Sequence, residues 1–358
     1  MRVTQSMLSN NMLRNLSTSY ERLGKYQDQL ATGKKITRPS DDPVVAMKGM
    51  NYRTDLTEVE QFQRNVSEAY SWMENTDSAY DKATAALQRI RELVVQASND
   101  TYEGNQRNSI AVEIKEMTQH LETIANTKMG NKYIFNGSNT TSAPINLENI
   151  NLPVSRLNPD GTGYILNFQG KNFTHTGGTT FVNGTDTIEI MDPTGAASAT
   201  MNGTTINLDD VVISRVGASP SEVKDVKIEL SKGVNITVSS NTENTFNASL
   251  FGDLKKIIAN LENGSSGSDI GNSLGKLDNH ITSLTSERAE MGARYNRIEL
   301  IEDRLSSQQI VTSRMMSDNE DAEIEQVITQ LTIQESVHRA ALGVGAKIVQ
   351  PSLLDFLR

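Results

Sequence analysis

The 358-residue sequence contains no cysteine, one tryptophan and few aromatic residues, which make up 5% of the chain. The missing cysteines exclude disulfide scaffolds, thiolate metal sites, iron–sulfur clusters and cysteine nucleophiles. Hydrophobic residues amount to 36%. Counting glycine in place of tyrosine brings the fraction to about 40%, below the roughly 45–50% of ordinary globular chains. The length suggests two or three domains, but we expect a thin protein that buries its apolar residues in narrow seams.

Two further absences concern membranes and nucleic acids. No run approaches 18 apolar residues, which argues against a transmembrane helix, and the first residues lack the apolar core and cleavage site of a Sec-type signal. The net charge of −10 and the pI near 5.1 disfavour a general nucleic-acid binder, because phosphate affinity needs concentrated Lys and Arg. We therefore expect no nucleic-acid partner and no membrane insertion.

Apolar residues at helical spacing predict long helices at both ends of the chain. The strongest pattern lies between residues 44 and 98, where apolar residues recur every seven positions and a second, mostly small set follows three positions after each. Such heptads are typical of a coiled coil. We interpret the first set as a rod seam, which consists of Val59, Val66, Met73, Tyr80, Leu87 and Val94. Shorter stripes predict helices near residues 13–30, 110–124 and 270–331, and Gly33 is predicted to end the first helix in a left-handed conformation.

The middle of the chain is rich in Gly, Asn, Thr and Ser. Short alternating runs there predict strands at 164–168, 187–191, 204–208, 223–230 and 234–239. The pairs Asn183-Gly184 and Asn202-Gly203 predict tight turns. The predicted fold is therefore α+β: a long antiparallel coiled-coil rod built from N- and C-terminal segments, with an inserted small antiparallel β domain.

These patterns divide the chain into three parts. Residues 1–43 and 318–358 are predicted to form terminal helical assembly arms. Residues 44–136 and 250–317 are predicted to form the helical rod, and residues 137–249 the inserted β domain.

The two ends of the chain carry opposite charge. Residues 1–40 hold seven Lys and Arg against two acidic residues, whereas residues 318–335 hold six acidic residues and no base. Two interpretations stay open: two solvated helix faces, or ends that attract each other or the opposite end of a partner subunit. We favour attraction, because both ends also carry apolar stripes that need a cover.

No motif in the sequence predicts an enzyme. The histidines are His120, His175, His280 and His338. They are far apart, and none has an acidic or histidine neighbour at the spacing of metal ligands. The adjacent pairs Asp41-Asp42 and Asp209-Asp210 are expected to serve turns and helix caps. We therefore predict no catalytic residue, no cofactor and no metal.

The apolar C-terminus would be an aggregation hazard unless it is covered. It could pack on the protein's own helix, but two thinly apolar arms are more typical of halves of an intermolecular core, disordered before assembly and helical after it. The predicted assembly interface consists of Leu13, Leu16, Leu23, Leu30, Leu342, Ile348, Leu353, Leu354, Phe356 and Leu357.

Four segments carry specific motifs. They are Met1-Arg-Val-Thr-Gln-Ser-Met7, the stretch from Leu23 to Pro43 with its Thr-Gly break and Pro-Ser-Asp-Asp-Pro turn, Gly130-Asn-Lys-Tyr-Ile-Phe-Asn-Gly137, and Ala346-Lys-Ile-Val-Gln-Pro-Ser-Leu-Leu-Asp-Phe-Leu357. Together they resemble the flagellin-like axial proteins of bacterial flagella. The proline-flanked turn and the Leu-Leu-Asp-Phe-Leu ending are more similar to the family's hook–filament junction proteins than to filament flagellin.

The resemblance implies a structural function. It implies an adaptor layer that joins hook to filament, lies outside the cell at the hook–filament junction and polymerises through its terminal helices as a ring or helical layer. It also implies type III export and four kinds of partner: further copies of the chain, hook-associated protein 1, flagellin and an export chaperone. Two alternatives stay open, a minor flagellin or filament subunit and a secreted coiled-coil adhesin with a β head.

Overall fold

The computed structural model describes residues 5–99, 104–157, 163–191, 198–220, 224–240 and 242–349. The helices of this part are α1 (Gln5–Thr32), α2 (Pro43–Ala97), α3 (Gly104–Ala125), α4 (Thr242–Thr245), α5 (Ala248–Glu262), α6 (Gly267–Glu320) and α7 (Ile324–Val349). The predicted fold class is confirmed: long helices from both ends of the chain enclose an inserted antiparallel β domain. The predicted turn around residues 99–105 lies largely outside the described residues.

The described residues fall into two compact units. The terminal unit comprises those up to residue 61 and from 304 onwards, and the central unit comprises those from 62 to 303. These limits lie within α2 and α6, whereas the predicted arms end at 43 and begin again at 318. The division into arms, rod and β domain therefore stays a prediction.

Local sequence signals mark the end of α1 and the beginning of α2. Gly33 follows α1 with φ of 67°, which confirms the predicted left-handed ending. Asp42 caps α2, because its Oδ1 accepts hydrogen bonds from the backbone N–H groups of Val44 at 3.0 Å and Val45 at 3.1 Å. Pro43 occupies the first helical position, where a missing N–H group is tolerated best. The expected capping role of the Asp41-Asp42 pair is confirmed for Asp42.

In the central unit, α2 and α6 run antiparallel and each buries a heptad seam. The predicted seam residues from Val66 to Val94 are no more than 1% exposed, and Val59, in the terminal unit, is 2% exposed. Ion pairs join the two helices, with Arg91 Nε 2.6 Å from Asp278 and Arg288 Nε 2.7 Å from Asp77. On α6 the buried residues of this unit recur every seven positions: Ile270, Leu277, Leu284, Met291 and Ile298.

The small residues of the second heptad set leave room for close packing. Ala69, Thr76, Ala83 and Ala97 are fully buried. A larger side chain at these positions would have no free volume to occupy, since protein interiors are close-packed.

The inserted domain is built around a seven-stranded antiparallel sheet. Its strand order is β8-β7-β6-β5-β4-β3-β9, and α5 packs on β3 and β9. The strands are β1 (Lys128–Met129), β2 (Lys132–Tyr133), β3 (Tyr164–Phe168), β4 (Lys171–Gly177), β5 (Thr180–Asn183), β6 (Asp186–Met191), β7 (Ser198–Met201), β8 (Thr204–Ile206), β9 (Val211–Arg215), β10 (Lys227–Ser231) and β11 (Val234–Thr237). The strands β1 and β2 form one hairpin, and β10 and β11 form another.

Most predicted strands are present, but several observed ones were not predicted. The runs at 164–168, 187–191 and 234–239 correspond to β3, β6 and β11, and Asn202-Gly203 forms the β7–β8 turn with both φ angles positive. The run at 204–208 stops at Ile206, and β10 begins only at Lys227. Strands β1, β2, β4, β5, β7 and β9 are additions to the prediction. The first two contain only two residues each, and the segments of the other four lack a clear apolar alternation.

Candidate functional site

The candidate site lies in the terminal unit, where α1 and α7 pair along their length. Buried and partly buried residues at alternating spacings of four and three form the seam between them. On α1 these are Met12, Leu16, Ser19, Leu23 and Tyr26, and on α7 they are Val327, Leu331, Gln334, His338, Ala341 and Gly345. The spacing is that of a two-helix coiled coil, and the direction is antiparallel because Met12 lies against Gly345 while Ser19 lies against Gln334.

The middle of this seam is polar. Gln334 Nε2 donates a hydrogen bond to Ser19 Oγ at 2.9 Å, and the His338 ring lies 6.0 Å from the Tyr20 ring, measured between centroids. At the far end, a groove of about 300 Å³ is lined by Met12, Leu16 and Ala341 among others.

The outer surface of the terminal unit exposes many large apolar side chains. On α1, Leu13 is 61% and Tyr20 68% exposed, and on α7 Leu342 is 49% exposed. Further exposed residues in the unit are Met7, Leu30, Val44, Met47, Met50, Ile310, Val311, Met315, Ile324, Ile328, Ile333, Val337 and Val344. Apolar exposure on this scale is typical of interaction surfaces.

The structure separates the predicted assembly residues into groups. Leu13, Leu30 and Leu342 are exposed, whereas Leu16 and Leu23 are partly buried in the α1–α7 seam. The Ile348 side chain lies outside the described part of the chain, as do Leu353, Leu354, Phe356 and Leu357. The role of these residues as an assembly interface stays a prediction.

The oppositely charged ends of the chain meet at a buried carboxylate. The Glu320 side chain is 5% exposed, and its Oε2 lies 2.5 Å from Lys34 Nζ and 2.6 Å from Arg53 Nη2. Burial acts to raise the pKa of Glu320, but the hydrogen bonds and charges of Lys34 and Arg53 outweigh it and hold the pKa below its usual value. The predicted attraction between the two ends is confirmed at this pair.

Backbone hydrogen bonds surround this carboxylate. The N–H of Lys35 donates to the carbonyl oxygen of Glu320 at 2.7 Å, and the N–H of Ala322 donates to that of Gly33 at 2.8 Å. Lys34 and Asp321 thereby pair as an antiparallel β-bridge. Gly49 of α2 faces the carboxylate so closely that a Cβ there would overlap it. We call Lys34, Gly49, Arg53, Glu320 and Asp321 the Glu320 corner.

The turn between α1 and α2 is ordered by its first aspartate. Asp41 Oδ2 accepts hydrogen bonds from the backbone N–H groups of Arg38 at 2.9 Å and Thr37 at 3.2 Å. The hydrogen bond from Arg38 is the largest contribution that lowers the pKa of Asp41. Two flanking prolines, Pro39 and Pro43, restrict this turn further.

An aromatic cluster in the central unit lies where the β domain begins and ends. Tyr80 of α2, Phe135 and Phe246 are each fully buried. The ring centroid of Phe135 lies 5.4 Å from that of Tyr80 and 4.9 Å from that of Phe246. The Tyr80 hydroxyl contacts that of Ser240, and burial raises the pKa of Tyr80. The cluster thus contains Phe135 from the Gly130–Gly137 motif.

Several ionisable groups of the central unit pair with one another. His280 Nε2 lies 2.9 Å from Asp253 Oδ2, and Lys276 Nζ lies 2.5 Å from Asp210 Oδ1, beside a polar groove of about 610 Å³. Within the part of the chain that the structure describes, no three His, Asp or Glu residues are grouped to hold a metal ion. None of the helices described there is long and apolar enough to cross a membrane.

Two family models match the chain at its two ends. The model of the bacterial flagellin N-terminal helical region matches residues 3–140, and that of the bacterial flagellin C-terminal helical region matches residues 274–357. The chain belongs to the flagellin-like family of flagellar axial proteins. In this family member, the matched regions contain α1, α2, α3, α7 and nearly all of α6, so the terminal unit and the helical rod carry the family's sequence features.

Curated relatives of this flagellin-like chain include both junction and filament proteins. Flagellar hook-associated protein 3 of Escherichia coli K12 is 25% identical over 348 residues, which cover 94% of this chain and 93% of the relative. The flagellin of Clostridium tyrobutyricum is 25% identical over 326 residues, covering 83% and 85%. A solved structure of a flagellar hook-associated protein from Vibrio parahaemolyticus matches with a TM-score of 0.53 at 15% identity, covering 78% of this chain and 100% of that one. This last likeness shows the fold alone.

Proposed function

We propose that the protein is a structural adaptor layer that joins hook to filament in the bacterial flagellum. The observation that carries this proposal is the match to hook-associated protein 3 of E. coli, which extends over more than nine-tenths of both chains. It therefore includes the inserted β domain as well as the helical ends. The flagellin of C. tyrobutyricum matches over a smaller share of each chain.

The terminal unit supplies the surface for assembly in this proposal. Exposed side chains such as Leu13, Tyr20 and Leu342 lie on its outer faces, and neighbouring copies would cover them. Fully burying one such side chain stabilises the assembly by about 1.5–3 kcal/mol. A contact between different faces of successive copies generates a ring or a helical layer.

The remaining partners follow from this position. Hook-associated protein 1 would contact the layer on the hook side, and flagellin would contact it on the filament side. A chain with uncovered apolar ends would need an export chaperone before assembly, followed by type III export to the outside of the cell. The family membership supports a structural role and not an enzymatic one.

Electron microscopy of a deletion strain tests the proposal. We expect cells without the protein to build hooks that carry no filament and to release flagellin into the medium. Complementation with the full chain should restore filaments, whereas a chain that lacks residues 340–358 should fold its central unit and fail to restore them. Normal filaments in the deletion strain, or incorporation of the truncated chain at the hook tip, would refute the proposal.

A minor filament flagellin is the second candidate, which the C. tyrobutyricum match favours. Immunogold labelling distinguishes the two. Label confined to the hook–filament junction supports the adaptor, and label along the filament supports the flagellin. The adhesin alternative is disfavoured by membership of the flagellin-like family.

A further inference from the structure

The seam between α1 and α7 is poorly equipped to fix its own register. Four of the six seam residues on α7 are Gln334, His338, Ala341 and Gly345, which provide little apolar surface. The hydrogen bond from Gln334 to Ser19 favours one alignment, but a single hydrogen bond contributes little net stabilisation. If one helix slid by seven residues, each polar or small seam residue would face another seam residue of the partner helix at little cost. The register therefore needs a further determinant.

The Glu320 corner lies at the end of this seam and is connected to both helices. Its bridge between Lys34 and Asp321 begins two residues after α1 ends and three residues before α7 begins. The alignment at the bridge continues along the helices: Ser19 lies 15 residues before Lys34, and its partner Gln334 lies 13 residues after Asp321. One register therefore runs from the corner into the seam.

The Glu320 corner is compatible with only one alignment of α1 with α7, because its carboxylate is buried. In the observed register Glu320 faces Lys34 from the α1 side and Arg53 from α2. A slip that removed Lys34 would leave the buried carboxylate with Arg53 but without the Lys34 ammonium, and losing a partner of a buried ion pair is destabilising. Gly49 keeps the space for the carboxylate free, since a Cβ there would overlap it. In some proteins, buried polar or ionic groups fix the register in which helices pair.

We propose that Glu320 is the positioning residue that fixes the register in which α1 and α7 pair. The register decides which apolar side chains face the seam and which face outwards, so Glu320 sets the surface that the terminal unit presents to neighbouring copies. This second step rests on the proposed assembly function, whereas the first concerns the chain by itself.

Distance measurement between two spin labels tests the register directly. The chain contains no cysteine, so Thr18→Cys and Ser336→Cys, both at exposed helical positions, label only α1 and α7. Because α1 and α7 pair within one chain, we expect a single narrow distance distribution in the isolated full chain, in contrast to the sequence-based expectation of arms that are disordered before assembly. In Glu320→Gln we expect a broadened distribution or a second population at longer distance, because a slip of one heptad moves one label about 10 Å along the helix axis at 1.5 Å per residue.

A second variant perturbs the Glu320 corner through a residue of α2. Gly49→Ala keeps every charge but displaces the carboxylate, and we expect it to reproduce the change seen in Glu320→Gln. Two controls should keep the parent distribution: Glu325→Gln, which neutralises an exposed carboxylate nearby, and Gly24→Ala, whose added methyl group meets no atom within 4 Å. Circular dichroism verifies in each variant that the long helices persist.

Double substitution separates positioning from general destabilisation. If Glu320 acts through Lys34, then adding Lys34→Gln to Glu320→Gln should change the distribution no further. A parent-like distribution in both Glu320→Gln and Gly49→Ala would overturn the proposal, and so would a broad distribution in the parent. These results come from the isolated chain, so they are distinguishable from a failure of the junction role, which the deletion strain reports.

Discussion

Truncating the central aromatic ring at the base of the β domain should destabilise the central unit strongly. Phe135 is fully buried and packs against Tyr80 and Phe246. Replacing a buried Phe by Ala costs about 3–5 kcal/mol of unfolding free energy. Phe135 also makes two aromatic contacts, each worth about 0.5–1.5 kcal/mol beyond the buried area. We therefore expect the cost of Phe135→Ala in the upper part of the range.

The expected shift in melting temperature follows from the size of the unit. It extends from residue 62 to residue 303, and at roughly 2.1 cal/mol/K per residue its unfolding entropy is about 0.5 kcal/mol/K. A loss of about 3–5 kcal/mol therefore lowers the Tm of this unit by about 6–10 °C.

Thermal unfolding followed by circular dichroism and calorimetry measures this shift. Val112→Ala is the matched control, because Val112 lies on α3 with 59% of its surface exposed and its truncation should change stability by less than about 0.5 kcal/mol. A shift below about 2 °C for Phe135→Ala would contradict the reasoning, since that is well under the expected cost of the truncation.

Three further predictions concern single contacts. Arg288→Lys should lose up to about 1 kcal/mol in urea unfolding, the upper limit for an exposed ion pair, because an ammonium cannot reproduce the forked hydrogen bonds that the guanidinium donates to two aspartates of α2. Arg297→Lys at an exposed position should be neutral. Gly252→Ala should lower the Tm, because its Cβ would overlap the Val212 side chain and overpacking costs about 1–3 kcal/mol. The pKa of Glu320 is lower in the folded protein than in the unfolded chain. The ionised carboxylate therefore stabilises the fold fully above about pH 4.3, the pKa of an unfolded glutamate, and this stabilisation is lost as the pH falls through the folded pKa. In urea unfolding, the free energy of unfolding of Glu320→Gln should fall less on acidification than that of the parent.

The long central helices were predictable because their apolar residues repeat strictly. A seven-residue repeat places every member on one face of the helix, and the residues from Val66 to Val94 are accordingly buried. Helix α1 was harder, because apolar residues occupy two of its faces. The sequence marks Leu13 and Leu16 alike, yet Leu16 is partly buried in the α1–α7 seam and Leu13 is 61% exposed. Local spacing does not say which face a neighbouring helix covers.

Parts of the β domain and the Glu320 corner could not be predicted from the sequence, for two different reasons. Strand β4 contains one aliphatic or aromatic residue, Phe173, among polar residues and glycine, so its strand character comes from pairing with neighbours and not from alternation. The corner brings Lys34 and Arg53 to Glu320 from positions more than 260 residues apart in sequence. Only the charge imbalance of the two ends pointed towards it, without identifying the residues.

The aromatic cluster at the base of the β domain has a consequence for how such chains diversify. Phe135 and Phe246 secure both connections of the insert at a single anchor on α2. Exchanging the segment between these two residues would keep the three aromatic rings of the anchor, provided that the Ser240 hydroxyl that contacts Tyr80 is retained. Lengthening a loop between fixed ends adds only about 0.6 kcal/mol of closure entropy per doubling. The segment between the two phenylalanines is therefore free to vary in length and surface chemistry, while the helices that it interrupts keep their pairing.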